Sequence, residues 1–181
     1  MGGPKALVRD PDAVPWVVRT ARLLSEAGCA PVLVVVGAEA EQVAAELTAG
    51  PAEVVVAAQW EEGMGASLRA GLRQLQLVGS SFGAVLVMPV DVPGLTADVV
   101  RRMSAHSERR VLARAVYDAK PGHPVLIGRD HWDGVIASAA GDEGARSYLE
   151  QHHAAEIECS DLSDGADVDT VEQLPDGHRL A

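Results

Sequence analysis

Uninterrupted apolar runs alternate along the chain with stretches in which apolar positions recur every three or four residues, a pattern that predicts strands and helices in turn. Val14, Val17, Val18, Ala21 and Leu24 follow helical spacing and Gly28 stands where a helix would end, so a helix is expected over 13–27. Val32–Val36 is a continuous β-branched and leucine run, as in a strand covered on both faces of a parallel sheet. A helix around Glu39–Leu47, a strand at Val54–Ala57, a helix with Leu68, Leu72 and Leu75 on one face, and a buried strand at Ala84–Met88 follow. Thr96 can cap a helix carrying Val99, Val100 and Met103, with Asp98 in its first turn, where the helix dipole favours negative charge. Val111–Val116 and Val125–Ile127 read as strands flanking a Gly/Pro loop, Asp142–Gln151 as a helix and Glu156–Cys159 as a last strand. Thr170 and Gln173 have capping-box spacing, and Pro175 keeps the helix they open short.

Alternating strands and helices predict an α/β fold with a doubly wound, mostly parallel, Rossmann-like sheet, and such sheets bind ligands outside the carboxyl ends of their strands. Residues that immediately follow strands are therefore the candidates for chemistry.

At 181 residues and 48% hydrophobic, the chain can bury a sizeable core, and one domain spanning 1–181 is expected. No apolar run approaches the ~20 residues needed to cross a bilayer, and there is no secretory signal pattern, so a cytoplasmic protein without a membrane partner is expected. A formal charge of −11 argues against a nucleic-acid partner, which would demand clustered Lys and Arg. Cys29 and Cys159 lack metal-ligand spacing and read as small buried side chains. Of the 15 basic residues only Lys5 and Lys120 are lysines. In a chain so biased to arginine, Lys5 reads as a compact ammonium kept for phosphate, while Lys120 stays open.

Several segments could carry chemistry. Gly2-Gly3-Pro4-Lys5 suits a turn whose amides and ammonium face phosphates, although it also reads as a flexible chain start. Asp91 leaves the carboxyl end of a central strand, a metal-ligand position, although it also reads as an aspartate making a turn ahead of Pro93. Asp167 and Asp169 alternate across Val168, so in an extended segment only one can point into a given site while the other caps or braces the Thr170 turn; the spacing fits a solvated acidic loop equally well. Gly63-Met64-Gly65-Ala66-Ser67 opens the Leu68 helix, where backbone amides can meet an anion, or is a plain glycine-rich turn with Met64 a packing residue. Gly122-His123-Pro124 is expected to begin a strand after the loop carrying Lys120, with His123 near substrate or simply in the loop. Gly141-to-Arg146 opens another helix, offering Arg146 as an anion clamp, or Asp142 as cap with Arg146 solvated.

Taken in order, these segments with the closing Asp167-Val168-Asp169-Thr170 resemble the molybdenum cofactor cytidylyltransferase family, of the MobA-like nucleotidyltransferase type, through nearly all of the chain. The resemblance implies transfer of CMP from CTP to the terminal phosphate of molybdopterin, with Mg²⁺ as cofactor and pyrophosphate released. The dinucleotide product would serve a molybdoenzyme, reached directly or through a maturation chaperone. By this resemblance Lys5 matches the phosphate-contacting lysine and Asp91 the metal-binding aspartate; Asp167 is the second metal ligand, with Asp169 the alternative. Gly2, Gly3, Gly63, Met64, Gly65 and Ser67 fall on the nucleotide side, and His123 and Arg146 on the acceptor side. Guanylyl transfer from GTP, another phosphate acceptor, or a non-catalytic molybdopterin carrier are the alternatives. The family also has an opening strand and a Gly-rich loop ahead of Gly-Gly-Pro-Lys, so the chain is expected to lack the first, central strand. Unpaired sheet edges, or another segment or subunit in the strand's place, and weak or absent activity are the expected consequences.

Overall fold

The computed structural model describes residues 3–79 and 81–180. The chain winds as α1 (Trp16–Glu26), β1 (Val32–Val36), α2 (Ala40–Leu47), β2 (Ala52–Val56), α3 (Met64–Val78), β3 (Ala84–Val87) and α4 (Ala97–Ser104). It continues through β4 (Leu112–Tyr117), β5 (Lys120–Gly128), α5 (Trp132–Ser138), α6 (Arg146–Gln151) and β6 (Ala155–Glu158). β1 and β2 form a parallel pair in the register Val34 to Val54, and the remaining strands form a sheet ordered β3-β5-β4-β6. In that sheet β4 and β6 run parallel, while β5 is antiparallel to both of its neighbours.

Helices cover both faces, as doubly wound layering requires. Val125 and Ile127 on one face of β5 pack with Leu72 and Leu75 of α3 and Trp132 and Val135 of α5, whereas Leu126 between them meets Val99 and Met103 of α4. That alternation is the period-two rule of a strand buried on both sides. Around β1, Val32 and Val36 pack with Val17, Val18 and Ala21 of α1 and Val43 and Leu47 of α2.

Among the described residues β1 and β3 each pair along one edge only, and both border a common slot. Val32, Leu33, Ala84, Val85 and Leu86 line a cavity of about 250 Å³ there. The amino ends of the two strands meet at this cavity, and Val36, closing β1, shares an apolar cluster with Val90, just beyond β3. The two strands therefore run in the same direction on either side of the slot.

Several boundaries differ from the sequence expectation for identifiable reasons. α1 starts at Trp16 rather than 13, because Ala13 adopts φ +63° and Pro15 is an extended cap. Gly144, at φ +56°, splits the expected helix 142–151 into a 3-10 turn at Gly141–Glu143 and α6. The expected loop before Val125 is a β-hairpin turning at Asp118 and Ala119, both at positive φ, so Gly122-His123-Pro124 lies inside β5 and Lys120 opens it. α5 has no counterpart in the sequence pattern.

Candidate functional site

Residues far apart in sequence meet beyond the carboxyl end of β3. Asp91 leaves that strand through Pro89 and Val90, and its backbone oxygen accepts a hydrogen bond from Val168 N at 2.9 Å. Val168 is buried against Val8 and Trp16, which pins the Asp167–Asp169 segment beside Asp91. Gln173 Oε1 accepts from the backbone amides of Asp169 and Thr170 at 2.8 and 2.9 Å, fixing the turn that the capping-box spacing predicted.

Lys5 sits in a 3-10 turn, Lys5–Leu7, anchored by Leu7 in the core. Its Nζ donates to Asp91 Oδ2 at 2.8 Å and to Asp169 Oδ1 at 2.6 Å. Partial burial works against the ammonium, but the hydrogen bonds to Asp169 and Asp91 and their negative charges outweigh it and raise the lysine pKa. Lys5 and Asp91 side chains are 27% and 19% exposed, and Asp169 is open at 65%, so the cluster stands at the rim of the fold with one side to solvent. Asp169, rather than Asp167, is the residue that shares Lys5 with Asp91.

His123 joins this cluster through strand register. Val125 of β5 lies opposite Val87 of β3, so two residues further on His123 flanks the exit towards Asp91. Burial lowers the pKa of its imidazole, opposed by the Val87 carbonyl and the charges of Asp91 and Asp167, and the buried Nδ1 has no hydrogen-bond partner among the described residues. Tyr117 donates its hydroxyl to His123 O at 2.6 Å, and its ring fills the space that a Cβ would need at both Gly122 and Gly165. Tyr117 thus ties the hairpin to the segment leading to Asp167, a role that no sequence spacing indicated.

A second group forms at the amino end of α3. Gly63, at φ +100°, caps the helix, and a Cβ there would lie 2.6 Å from Asp142 Oδ1 and from the backbone of Gly141. A Cβ on Gly65 would lie 2.7 Å from Ala140 N. The Gly63–Ser67 and Gly141–Arg146 segments, read separately in the sequence, are thus in backbone contact. Met64 is exposed, Ser67 half-buried, and Arg146 exposed at the start of α6 without an ion pair among the described residues. Trp60, 41% exposed, lies over Gly37 at the carboxyl end of β1, where a Cβ would meet its side chain at 2.4 Å. Gly3 belongs to the described chain, and Gly2 lies outside the described residues.

The donor set suits a hard divalent cation. Two carboxylates, Asp91 and Asp169, converge on one positively charged centre, and oxygen donors of this kind suit Mg²⁺ or Mn²⁺. Among the described residues no group of three or more His, Cys, Asp and Glu side chains could hold a metal by itself. Two carboxylates leave coordination positions for water and substrate oxygens, as Mg²⁺ prefers.

Residues 1–156 match the MobA-like NTP transferase domain, so the Asp167–Thr170 element lies beyond the matched part. The chain is 35% identical to a nicotine blue oxidoreductase of Paenarthrobacter nicotinovorans, over 96% of this chain and 90% of that one. Among solved structures it is similar to Rv0371c from Mycobacterium tuberculosis H37Rv, with a TM-score of 0.78 and 26% identity, covering 95% of this chain and 87% of the other. A structure of Rv0371c in complex with manganese aligns at a TM-score of 0.73 with 25% identity, over 94% of this chain and 89% of the other.

Proposed function

From the premise that the chain belongs to the MobA-like NTP transferase family, we propose that it transfers CMP from CTP to the terminal phosphate of molybdopterin and releases pyrophosphate. The observation that carries this reading is Lys5 held between Asp91 and Asp169 at the carboxyl edge of the sheet, with α3 opening on a glycine-rich turn. Asp91 and Asp169, with Asp167 the alternative, would hold Mg²⁺, and the ion would supply positive charge to offset that of the triphosphate. The manganese complex of Rv0371c supports a divalent ion in this fold. Lys5 would leave its carboxylates for phosphate oxygens, where a point charge is effective in any orientation. Backbone amides at Gly63–Ser67 would face the nucleotide's anionic groups at the amino end of α3. His123, neutral because it is buried, and Arg146 would position the acceptor. No side chain is asked to act as a covalent nucleophile; positioning and charge compensation do the work. The reaction would take place in the cytoplasm, with a molybdoenzyme or its maturation chaperone receiving the product.

Calorimetric titration of CTP and of GTP, each with Mg²⁺, tests this directly. CTP is expected to bind only with Mg²⁺, and Asp91→Asn to abolish that binding without unfolding the protein. Equal CTP binding by the variant would remove Asp91 from the metal site. Tighter binding of GTP would change the base and leave the reaction type standing.

A second reading comes from the nicotine blue oxidoreductase, because its alignment runs nearly end to end in both chains. Under it, this chain would reduce a heteroaromatic compound using an external hydride donor. Oxidation of a reduced nicotinamide in the presence of nicotine blue, insensitive to CTP and to Asp91→Asn, would favour that reading over nucleotidyl transfer.

A further inference from the structure

We propose that Arg69 is a positioning residue that makes the Glu62–Ser67 turn and the Ala139–Arg146 segment move as one unit, so that the nucleotide and acceptor sides of the site are set together. The functional part of this inference rests on the assignment of those two segments under Proposed function.

Arg69 lies on the second turn of α3 and is 15% exposed at its side chain. One arm of the guanidinium, Nη1, donates to Ala139 O at 2.7 Å, and the other, Nη2, donates to Glu62 Oε2 at 2.5 Å. Ala139 is the extended C-cap just past Ser138, where α5 ends, so its carbonyl lacks an intrahelical donor, and an arginine there satisfies it and sets a positive charge beside the helix's carboxyl end. Glu62 ends the 3-10 turn that delivers the chain to Gly63. The planar fork therefore spans two chain segments 77 positions apart in sequence, and its rigidity fixes their separation in a way that a single flexible ammonium would not.

Backbone contact completes the unit. Gly63 sits against Gly141 and Asp142, and Gly65 against Ala140, both closer than any Cβ would allow. With no side chain between them, displacement of one segment is transmitted to the other. A helix-capping role alone would stabilise α5 and have no consequence for ligands. The position of the second arm on Glu62, immediately before the α3 turn, is what extends the role to the site.

The test uses the full chain and three variants, Arg69→Ala, Arg69→Lys and Glu62→Gln. In hydrogen exchange without ligand, Arg69→Ala is expected to speed exchange of amides in 63–67 and in 140–145 together, each by about tenfold, as loss of charge-assisted hydrogen bonds would produce. Faster exchange in only one of the two segments would overturn the coupling. Under turnover, Arg69→Ala is expected to raise KM for CTP and for the acceptor by about tenfold each while kcat changes less than about threefold, with Arg69→Lys recovering part of the loss. A fall in Tm with both KM values unchanged would reduce Arg69 to a helix cap and overturn the proposal. Glu62→Gln keeps the bond to Ala139 and weakens the other, so its effects should run in the same direction and be smaller. If Arg69→Ala does not fold, Arg69→Lys and Glu62→Gln decide by the same measurements. Failure of the wild-type chain to bind any nucleotide would count against the proposed function, while the exchange result would still decide the coupling.

Discussion

Lys5 occupies the place of a cation. Two carboxylates brought within about 3 Å of one point repel each other unless something positive lies between them, and the Lys5 ammonium lies there, 2.8 and 2.6 Å from its partners. Because its pKa is raised above the ordinary 10.5, the stabilising charge is fully present below that pH and lost only as pH climbs through the raised value. Neutral pH thus leaves the pair intact, and what can displace the ammonium is another cation. Lys5→Ala is therefore expected to bind Mn²⁺ alone about fivefold more tightly than the wild type, since the carboxylates no longer have a resident counter-charge. The same variant should bind Mg²⁺ and CTP together more weakly, having lost the ammonium meant for phosphate. Free Mn²⁺ measured by electron paramagnetic resonance tests the first expectation and calorimetry the second. Unchanged Mn²⁺ affinity would show that Lys5 and the metal do not compete for the aspartates.

At the scale of elements, Tyr117 shows how side chains outside the site hold it. Its ring fits against two glycines, Gly122 on its own hairpin and Gly165 on the segment leading to Asp167, and its hydroxyl fastens His123 from the backbone side. Tyr117→Phe removes a single hydrogen bond and should cost about 1 kcal/mol in urea unfolding. Gly165→Ala both forces a Cβ into the ring and places alanine at φ +63°, so a loss above about 2 kcal/mol is expected, with Asp167 displaced. A loss below about 0.5 kcal/mol for Gly165→Ala in the same experiment would show that the ring is not a fixed wall.

These contacts also explain what could be read from the sequence. Elements with strong periodicity were legible: β1 was expected with its observed limits, and the Thr96 cap forms as expected, its hydroxyl accepting from Val99 N at 3.4 Å. The closing of Lys5 on Asp91 was not expected, because the two residues lie 86 positions apart and no local pattern joins them; the resemblance gave each a separate role, on phosphate and on metal. α5 was missed because Trp-Asp-Gly-Val-Ile-Ala-Ser carries a glycine and two β-branched residues, poor credentials for a helix. Tertiary contacts override those preferences. Trp132 is buried and donates to Ile127 O at 3.0 Å, and Gly134 is glycine because the Tyr148 ring lies where its Cβ would be. Arg69 left no signal, since an arginine on an amphipathic helix reads as a solvated residue until α5 supplies its acceptor. The extent of β5 was hidden by Pro121 and Pro124, which cannot donate to a ladder and so look like loop residues.

The whole molecule is most unusual where the two sheets face each other. β3 is entirely apolar, Ala84-Val85-Leu86-Val87, yet all four residues are only half-buried, and so are Leu33, Val34 and Val35 of β1. Strand edges that run in one direction on either side of a cavity of about 250 Å³, lined by apolar side chains with Ser104 and Ser107 among them, would suit an extended apolar segment. Such a segment, laid parallel to both edges, would pair two rows of backbone groups at once and cover the half-buried side chains of β1 and β3. It would also end beside Asp91 and Lys5, at the carboxyl edge where the site lies. A synthetic peptide of five alternating valines and leucines, the length of β1, with lysines flanking it for solubility, is therefore expected to raise Tm in a concentration-dependent way. At 100 times its dissociation constant the gain should be about 2.7 kcal/mol. A scrambled peptide with proline at its centre, unable to pair on both sides, should have no effect. Substituting Leu86→Lys places a charge in the slot and should abolish the gain, while equal stabilisation of that variant would locate the peptide elsewhere. If pairing in the slot also orders the chain around Lys5, the peptide should tighten Mg²⁺-dependent CTP binding as well as raise Tm. A rise in Tm with CTP binding unchanged would make the slot a stability element alone and separate the assembly of the sheet from the assembly of the site.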